Sequence, residues 1–216
     1  MKKNIFIILI LFFSISINSQ NTKMQFGIKS GINMSKYTPE LNVENTRLAD
    51  YQRKIGFYIG GYTNIKISQK FKIQPEILFS SQGTKRVFED ISLTDSNGEL
   101  IISGDIEEKI SESVISTPIT LQYFINNEFN LEGGIQLGYI MNRKQEITKN
   151  PLDSFFGNNS QNINTNYDKF DLGFNIGLGY EVFENMRINT RYFHGLIERD
   201  GSIKPSVFSL GIEYKI

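Results

Sequence analysis

The chain contains no cysteine, only one histidine and, beyond its amino-terminal segment, no apolar run long enough to cross a membrane as a helix. Without cysteine we expect neither a disulfide framework nor a lipid anchor attached through a thiol. A spanning helix needs about 20 apolar residues, and no later segment offers them. The 23 lysines and arginines balance the 23 aspartates and glutamates. The chain therefore has no excess of positive charge, and nucleic acid is not an expected partner.

The amino terminus has the pattern of a secretory signal peptide. Lys2 and Lys3 precede an apolar run at residues 5–13, and the small residue Ser19 stands before Gln20. We therefore expect cleavage after Ser19, which would leave residues 20–216 as one barrel domain. An uncleaved anchor helix is the alternative, but polar residues end the apolar run well short of the length that a spanning helix needs.

Residues 170–182 contain the clearest structural pattern of the chain. Phe170, Phe174 and Ile176 are among the large apolar residues at every second position, whereas Asp171, Asn175 and three glycines lie between them. Successive side chains of a strand point to opposite faces, so this segment predicts a strand with one apolar and one polar face. Seven further segments repeat the pattern: residues 24–35, 55–67, 71–82, 113–125, 129–143, 186–196 and 207–216.

Glycine indicates which face of these strands lies inside. Of the 13 glycines in the eight segments, 11 share the parity of the charged residues, and only Gly61 and Gly133 lie on the apolar face. A narrow barrel must fit its inward side chains into little space, which favours glycine there. We therefore place the apolar face outward, against lipid. The alternative is a soluble, lipocalin-like ligand carrier, whose apolar face would turn inward.

The connections between these segments predict an all-β fold, an eight-stranded antiparallel up-and-down transmembrane barrel. Short turns at residues 68–70, 126–128 and 183–185 alternate with longer connections at 36–54, 83–112, 145–166 and 197–206. In outer-membrane barrels the short turns face the periplasm and the long loops face outward. Within the second long connection, Asp95 to Gly98 predict a hairpin tip beyond the membrane, and the third and fourth strands could simply continue upward to it.

One long connection contains large apolar residues that could contact a partner. Leu152, Phe155 and Phe156 lie in a segment that is otherwise rich in asparagine and serine. They are candidates for a contact with a partner, although a cap folded over the barrel mouth would use the same residues.

Strand parity sends charges of both signs into the lumen. We expect ion pairs that plug the barrel and do not line a channel, because an eight-stranded lumen is just filled by side chains. Glu76 and Arg191 are the pair that we expect to meet. The predicted lumen charges are Lys29, Lys66, Lys72, Arg187, Arg191, Lys215, Glu76, Glu132, Asp171, Glu181 and Glu213.

Several blocks of the chain resemble the PorT-like outer-membrane β-barrel proteins. They lie at residues 26–33, 73–83, 115–123 and 191–196, in an order and spacing that extend over essentially the whole mature chain. The resemblance implies an outer-membrane barrel of about eight strands whose namesake is linked to protein secretion. Such barrels commonly end in an aromatic residue, whereas this sequence ends in Ile216. We therefore expect the assembly machinery to recognise this chain less efficiently.

We expect a monomer in the bacterial outer membrane with a structural or interaction role and no cofactor. Its partners would be outer-membrane lipid, the barrel-assembly machinery, and an unknown protein or surface ligand bound through the external loops. A lipid-modifying enzyme is the alternative of a different class, since His194 could act as a base for Ser81 or Ser206. By parity, however, His194 faces outward, where a residue of the aromatic girdle is the simpler reading.

Overall fold

A computed structural model describes residues 24–39, 41–43, 46–151, 153, 167–199 and 203–216. The predicted signal peptide and the loop residues Leu152, Phe155 and Phe156 lie outside these ranges. Within them, no helix is both long and apolar enough to span a membrane.

The described chain is built from β-strands. Eight long strands and one short one follow each other with no intervening domain. They are β1 (Met24–Thr38), β2 (Leu41–Val43), β3 (Thr46–Lys66), β4 (Phe71–Thr94), β5 (Leu100–Phe124), β6 (Phe129–Lys149), β7 (Phe170–Phe183), β8 (Met186–Gly195) and β9 (Lys204–Lys215).

The eight long strands close into a ring in which every neighbour is antiparallel. Each long strand pairs with the next long strand along the chain, and β1 pairs with both β9 and β3. Ile28 of β1, for example, lies opposite Tyr214 of β9 and Gly61 of β3. The short β2 pairs only with β3, outside the ring. The predicted eight-stranded up-and-down barrel is therefore confirmed.

The apolar face of the barrel lies outside. In β7, Ile176 exposes 60% of its surface, whereas its neighbour Asn175 exposes 1%. The same alternation holds in the other barrel strands, with aromatic and aliphatic side chains outward and polar or charged ones inward. Because the lumen is polar, this arrangement contradicts the lipocalin-like alternative, which requires an apolar interior.

Glycine permits the close approach of strands around this narrow lumen. A Cβ atom on Gly134, which faces inward, would lie 2.0 Å from the carbonyl oxygen of Ile119. On the outward Gly133, the nearest heavy atom to a Cβ would be the carbonyl oxygen of Asn175, at 3.7 Å. The glycines that the sequence placed inside therefore relieve crowding, as the parity argument requires.

The two ends of the barrel differ. At the turn end, connections at residues 67–70, 125–128 and 184–185 confirm the predicted tight turns. At the loop end, β4 and β5 have 24 and 25 residues, far more than the 10 of β8. Their hairpin turns at Asp95 to Gly98, the predicted tip, where the Gly98 amide donates to the Asp95 carbonyl oxygen at 3.1 Å.

At the loop end the strands extend beyond their predicted segments. The connections predicted at residues 36–54 and 83–112 consist largely of strand, because β1, β3, β4 and β5 extend far into them. For β4 and β5 this agrees with the alternative in which both strands continue to the hairpin tip. β6 also continues to Lys149, and β9 begins at Lys204. Beyond the lipid the outward face meets water and has no need for apolar residues. The alternation fades there while the hydrogen-bonded ladder continues.

We expect Gly134→Ala to destabilise the barrel by about 1–3 kcal/mol, because the new methyl group meets the backbone of β5. The adjacent Gly133→Ala is the matched control and should change stability by no more than about 0.5 kcal/mol. Urea unfolding of the refolded proteins, followed by circular dichroism, measures both. Equal stability of the two variants would contradict the placement of Gly134 against β5.

Candidate functional site: the charged lumen

Five strands bring a buried ion-pair network to the middle of the lumen. Each contributes a residue of inward parity: Lys29 from β1, Glu76 from β4, Glu132 from β6, Arg191 from β8 and Glu213 from β9. All five expose less than a tenth of their surface. Buried charges of one sign would be strongly destabilising, so the arrangement depends on pairing.

Arg191 is the centre of this network. Its Nη1 and Nη2 atoms donate to the two carboxylate oxygens of Glu76 at 2.9 and 2.7 Å. Its Nε atom donates to Glu132 Oε1 at 2.7 Å. The fork of the guanidinium thus engages two carboxylates at once, a geometry that gives strong, orientation-specific hydrogen bonds.

Lysine and a second arginine balance the remaining carboxylates. Lys29 Nζ lies 2.8 Å from Glu213 Oε1 and 3.3 Å from Glu76 Oε1. Arg187 reaches Glu213 at 3.4 Å and Glu181 at 3.5 Å. Three cations therefore face Glu76, Glu132, Glu213 and the partly exposed Glu181, which leaves the network close to neutral.

A second network lies nearer the loop end. Arg199 Nη2 lies 2.9 Å from Asp171 Oδ2, and Arg199 Nε lies 3.4 Å from Glu112 Oε1. The Tyr37 hydroxyl donates to Glu112 Oε1 at 2.6 Å, and Arg143 lies 3.9 Å from the same oxygen. Above these charges Tyr37 packs with Tyr51, Ile110 and Ile203 in an apolar cluster.

Between the two networks the lumen contains a small pocket. Its volume is about 40 Å³, and it is lined mainly by polar side chains such as Tyr58, Ser80, Gln136 and Asn189. A water molecule occupies about 30 Å³ in the liquid, so this volume is on the scale of one or two waters. Amide and hydroxyl groups thus line the space between the ion pairs of the two networks.

Most of the residues that the sequence assigned to the lumen belong to one of these two networks. Glu76, Arg191, Glu132, Arg187 and Glu181 meet in the first one, and Asp171 belongs to the second. Lys66, Lys72 and Lys215 lie at the mouth of the turn end instead.

Three members of the second network escaped the sequence prediction. Glu112 lies one residue before a predicted strand, and its inward parity could have identified it had that strand been extended. Arg143 has the outward parity of the predicted strand 129–143, but a register shift between β5 and β6 near residue 141 turns its side chain inward. Arg199 lies in the connection between β8 and β9, where its amide donates to the carbonyl oxygen of Ile203 at 2.8 Å. No periodic pattern in the sequence marks a loop residue that folds back into a barrel.

His194 lies outside both networks. Its ring faces outward, 5.5 Å from the Phe174 ring centroid and 6.5 Å from that of Tyr192. The Ser206 hydroxyl, a candidate nucleophile, donates to the Tyr192 hydroxyl at 3.0 Å. Among the described residues, no group of three or more metal-binding side chains gathers.

We expect Glu76→Gln to destabilise the barrel by about 3 kcal/mol, because it removes the carboxylate that Arg191 and Lys29 share. The temperature at which the folded band disappears from unboiled SDS gels should fall. Glu146→Gln is the matched control, since Glu146 pairs with Lys144 on the exposed part of β6 and should have no measurable effect. An unchanged transition in Glu76→Gln would contradict a stabilising role for the network.

Comparison with known proteins identifies the family to which this barrel is similar. Residues 18–199 match the outer membrane protein beta-barrel domain family. Among solved structures, the chain is similar to the attachment invasion locus protein Ail of Yersinia pestis, in complex with the heparin analogue sucrose octasulfate, at 17% identity and a TM-score of 0.50. That alignment covers 90% of this chain and 100% of Ail.

A second solved structure supports the same fold. Neisserial surface protein A is 11% identical with a TM-score of 0.51, over 88% of this chain and 97% of that one. A search of curated proteins found no match. The family match spans most of the chain, and the described strands close into the ring that the family name describes. The chain therefore belongs to the outer membrane protein beta-barrel domain family and is a small integral protein of the bacterial outer membrane.

Proposed function

We propose that this protein is a non-catalytic, interaction-type barrel whose lumen is plugged by ion pairs and whose activity lies on its external face. The observation that supports the proposal is the contrast between the lumen and the external ends of the strands. The lumen is occupied by mutually satisfied charges around Arg191, whereas β3 to β6 rise as a wall far above the shorter β8 and β9. A filled interior leaves the wall as the surface available to a partner.

Cross-strand pairs make this external wall a defined surface. Arg86 of β4 pairs with Glu108 of β5, and Gln145 of β6 donates to the same carboxylate. Although burial acts against it, the attraction of Glu108 holds the pKa of Arg86 above its ordinary value. Lys85 adds an ion pair with Glu107 at 2.7 Å. Opposite charges across neighbouring strands favour a single register.

The tip of the β4–β5 hairpin is also held by local contacts. The backbone amides of Glu99 and Asn97 donate to Asp95 Oδ1 at 2.8 and 2.9 Å. These hydrogen bonds lower the pKa of Asp95, because they favour the ionised carboxylate. A preorganised tip loses less conformational entropy when a partner binds.

The partner is an unknown protein or surface ligand, and Leu152, Phe155 and Phe156 are the proposed contact residues. The remaining partners are outer-membrane lipid and the barrel-assembly machinery, with no nucleic acid and no cofactor. The protein acts as a monomer. Within the family, the blocks quoted above favour the PorT-like members, so support of protein secretion stands beside adhesion and envelope scaffolding.

Truncation of the wall tests this proposal. Residues 89–105, the outer part of the β4–β5 hairpin, are replaced by Asn-Gly, a sequence suited to a two-residue hairpin turn. The shortened barrel should reach the outer membrane in normal amounts yet fail to complement a gene deletion in attachment and in protein secretion. Complementation by the wild-type chain is the control. Full complementation by the shortened barrel would move the function to the lumen or to the turn end.

The enzyme alternative gives a different outcome. If His194 served as a general base, His194→Ala would alter the lipid composition of the host outer membrane. Because its ring packs with Phe174 and Tyr192 on the lipid-facing side, we expect the lipid A and phospholipid profiles to be unchanged by mass spectrometry. A changed acyl pattern, restored by wild-type protein, would contradict the non-catalytic proposal.

A further inference from the structure

The mouth at the turn end, which faces the periplasm in an outer-membrane barrel, opens into a cavity of about 420 Å³. We call it the periplasmic vestibule. It lies mainly between the turn-end parts of β3, β4 and β5, the β3–β4 turn and the β5–β6 turn. Its lining consists of Gln25, Asn64, Lys66, Gln69, Lys70, Lys72, Phe124, Ile125, Asn126 and Asn127.

The charge of this lining is of one sign. Lys66, Lys70 and Lys72 are its ionisable groups, and no carboxylate accompanies them. In the described part of the chain, none of these three lysines takes part in an ion pair, in contrast to Lys29 deeper in the lumen. Three like charges around one concave space create a positive potential that an anion would relieve.

The innermost lysine is held in place by an aromatic ring. Lys72 Nζ lies 4.4 Å from the centroid of the Phe124 ring, and the guanidinium carbon of Arg187 lies 5.3 Å from the same centroid. Cation–π attraction thus fixes Lys72 beside the ring. The next inward residues on these strands, Gln74 and Gln122, are fully buried, so the vestibule ends at this level.

The rest of the mouth has a different character. An adjoining cavity of about 120 Å³ shares Gln25, Asn64 and Lys72 with the vestibule, but it also contains Glu181, Glu184 and Glu213. Carboxylates there oppose Arg187 and Lys215. The mouth is therefore divided into a cationic part and a part of mixed charge, and an anion would be attracted to the first and not to the second.

We propose that the periplasmic vestibule binds a small soluble anion carrying phosphate-type oxyanion groups. Lysine ammonium groups are point-charge phosphate binders, and the amide groups of Asn64, Gln69 and Asn126 supply additional donors. A phospholipid headgroup has the same chemistry. The barrel wall, however, separates the vestibule from the surrounding lipid, so the ligand enters from the periplasm.

The proposal is tested by isothermal titration calorimetry on the full refolded barrel in a non-ionic detergent, with inorganic tripolyphosphate as the titrant. The triple variant Lys66→Gln, Lys70→Gln, Lys72→Gln should bind at least about tenfold more weakly than the wild type, since each lysine supplies part of the attraction. Raising the salt concentration should weaken wild-type binding.

The matched control removes three lysines elsewhere. Lys109→Gln, Lys144→Gln, Lys149→Gln lowers the net charge equally on the external wall and should leave the affinity unchanged. Lys70→Gln alone, in an exposed turn, should weaken binding by roughly twofold to threefold. This single variant tests the proposal even if the triple variant fails to fold. Equal affinity in the vestibule and control variants, or no binding by the wild type, would overturn the proposal.

A second experiment distinguishes a soluble phosphate ligand from a phospholipid headgroup. The barrel is reconstituted in phosphatidylcholine vesicles, with and without phosphatidylglycerol, and titrated with tripolyphosphate. Unchanged affinity supports a soluble ligand. A loss of affinity that appears only with phosphatidylglycerol, and only while the three vestibule lysines are present, would assign the site to a lipid headgroup and overturn the soluble source.

Discussion

The narrowness of an eight-stranded ring is the constraint from which the other features of this protein follow. Such a ring has an interior just wide enough to be filled by side chains, so bulky aromatic residues must lie outside. Glycine at inward positions such as Gly134 allows neighbouring strands to approach. The outer surface then becomes apolar and requires lipid, while the polar residues of each strand have only one another as partners.

Charge pairing is the second consequence. Arg191, Glu76 and Glu132 are removed from water by the ring itself, and each would be strongly unfavourable alone. Their hydrogen bonds offset that desolvation, and Lys29 and Glu213 extend the same compensation around the lumen. A cavity whose ionisable lining groups are all cationic lies where the ring opens, at Lys66, Lys70 and Lys72. The paired charges of the lumen thus stabilise the barrel, whereas the lysines at its mouth remain available to a ligand.

The sequence predicts the barrel well wherever both faces of a strand are constrained. In β7, lipid on one side and the lumen on the other enforce a strict alternation, and the prediction for residues 170–182 agrees with the strand Phe170–Phe183 to within one residue. Where β4 and β5 leave the lipid, one constraint disappears and the pattern no longer marks the strand. Arg199 shows a further limit, because its entry into the lumen depends on how a loop folds back on the finished ring. Strand parity identified Glu76 and Arg191 as inward residues, but their distance depends on the stagger of strands that are far apart in sequence.

The orientation of the two faces is tested most directly by spin labelling, since the absence of cysteine in the natural chain allows one label at a time. Single cysteines replace the outward Phe174, Ile176 and Leu178 and the inward Asp171 and Asn175, and the labelled barrels are reconstituted in lipid vesicles. Electron paramagnetic resonance then compares collisions with oxygen, which concentrates in lipid, and with a water-soluble nickel chelate. Oxygen accessibility should alternate along β7, high at the outward positions and low at the inward ones. High oxygen accessibility at Asn175, with Ile176 shielded from both reagents, would contradict the lipid-facing assignment and the charged lumen that depends on it.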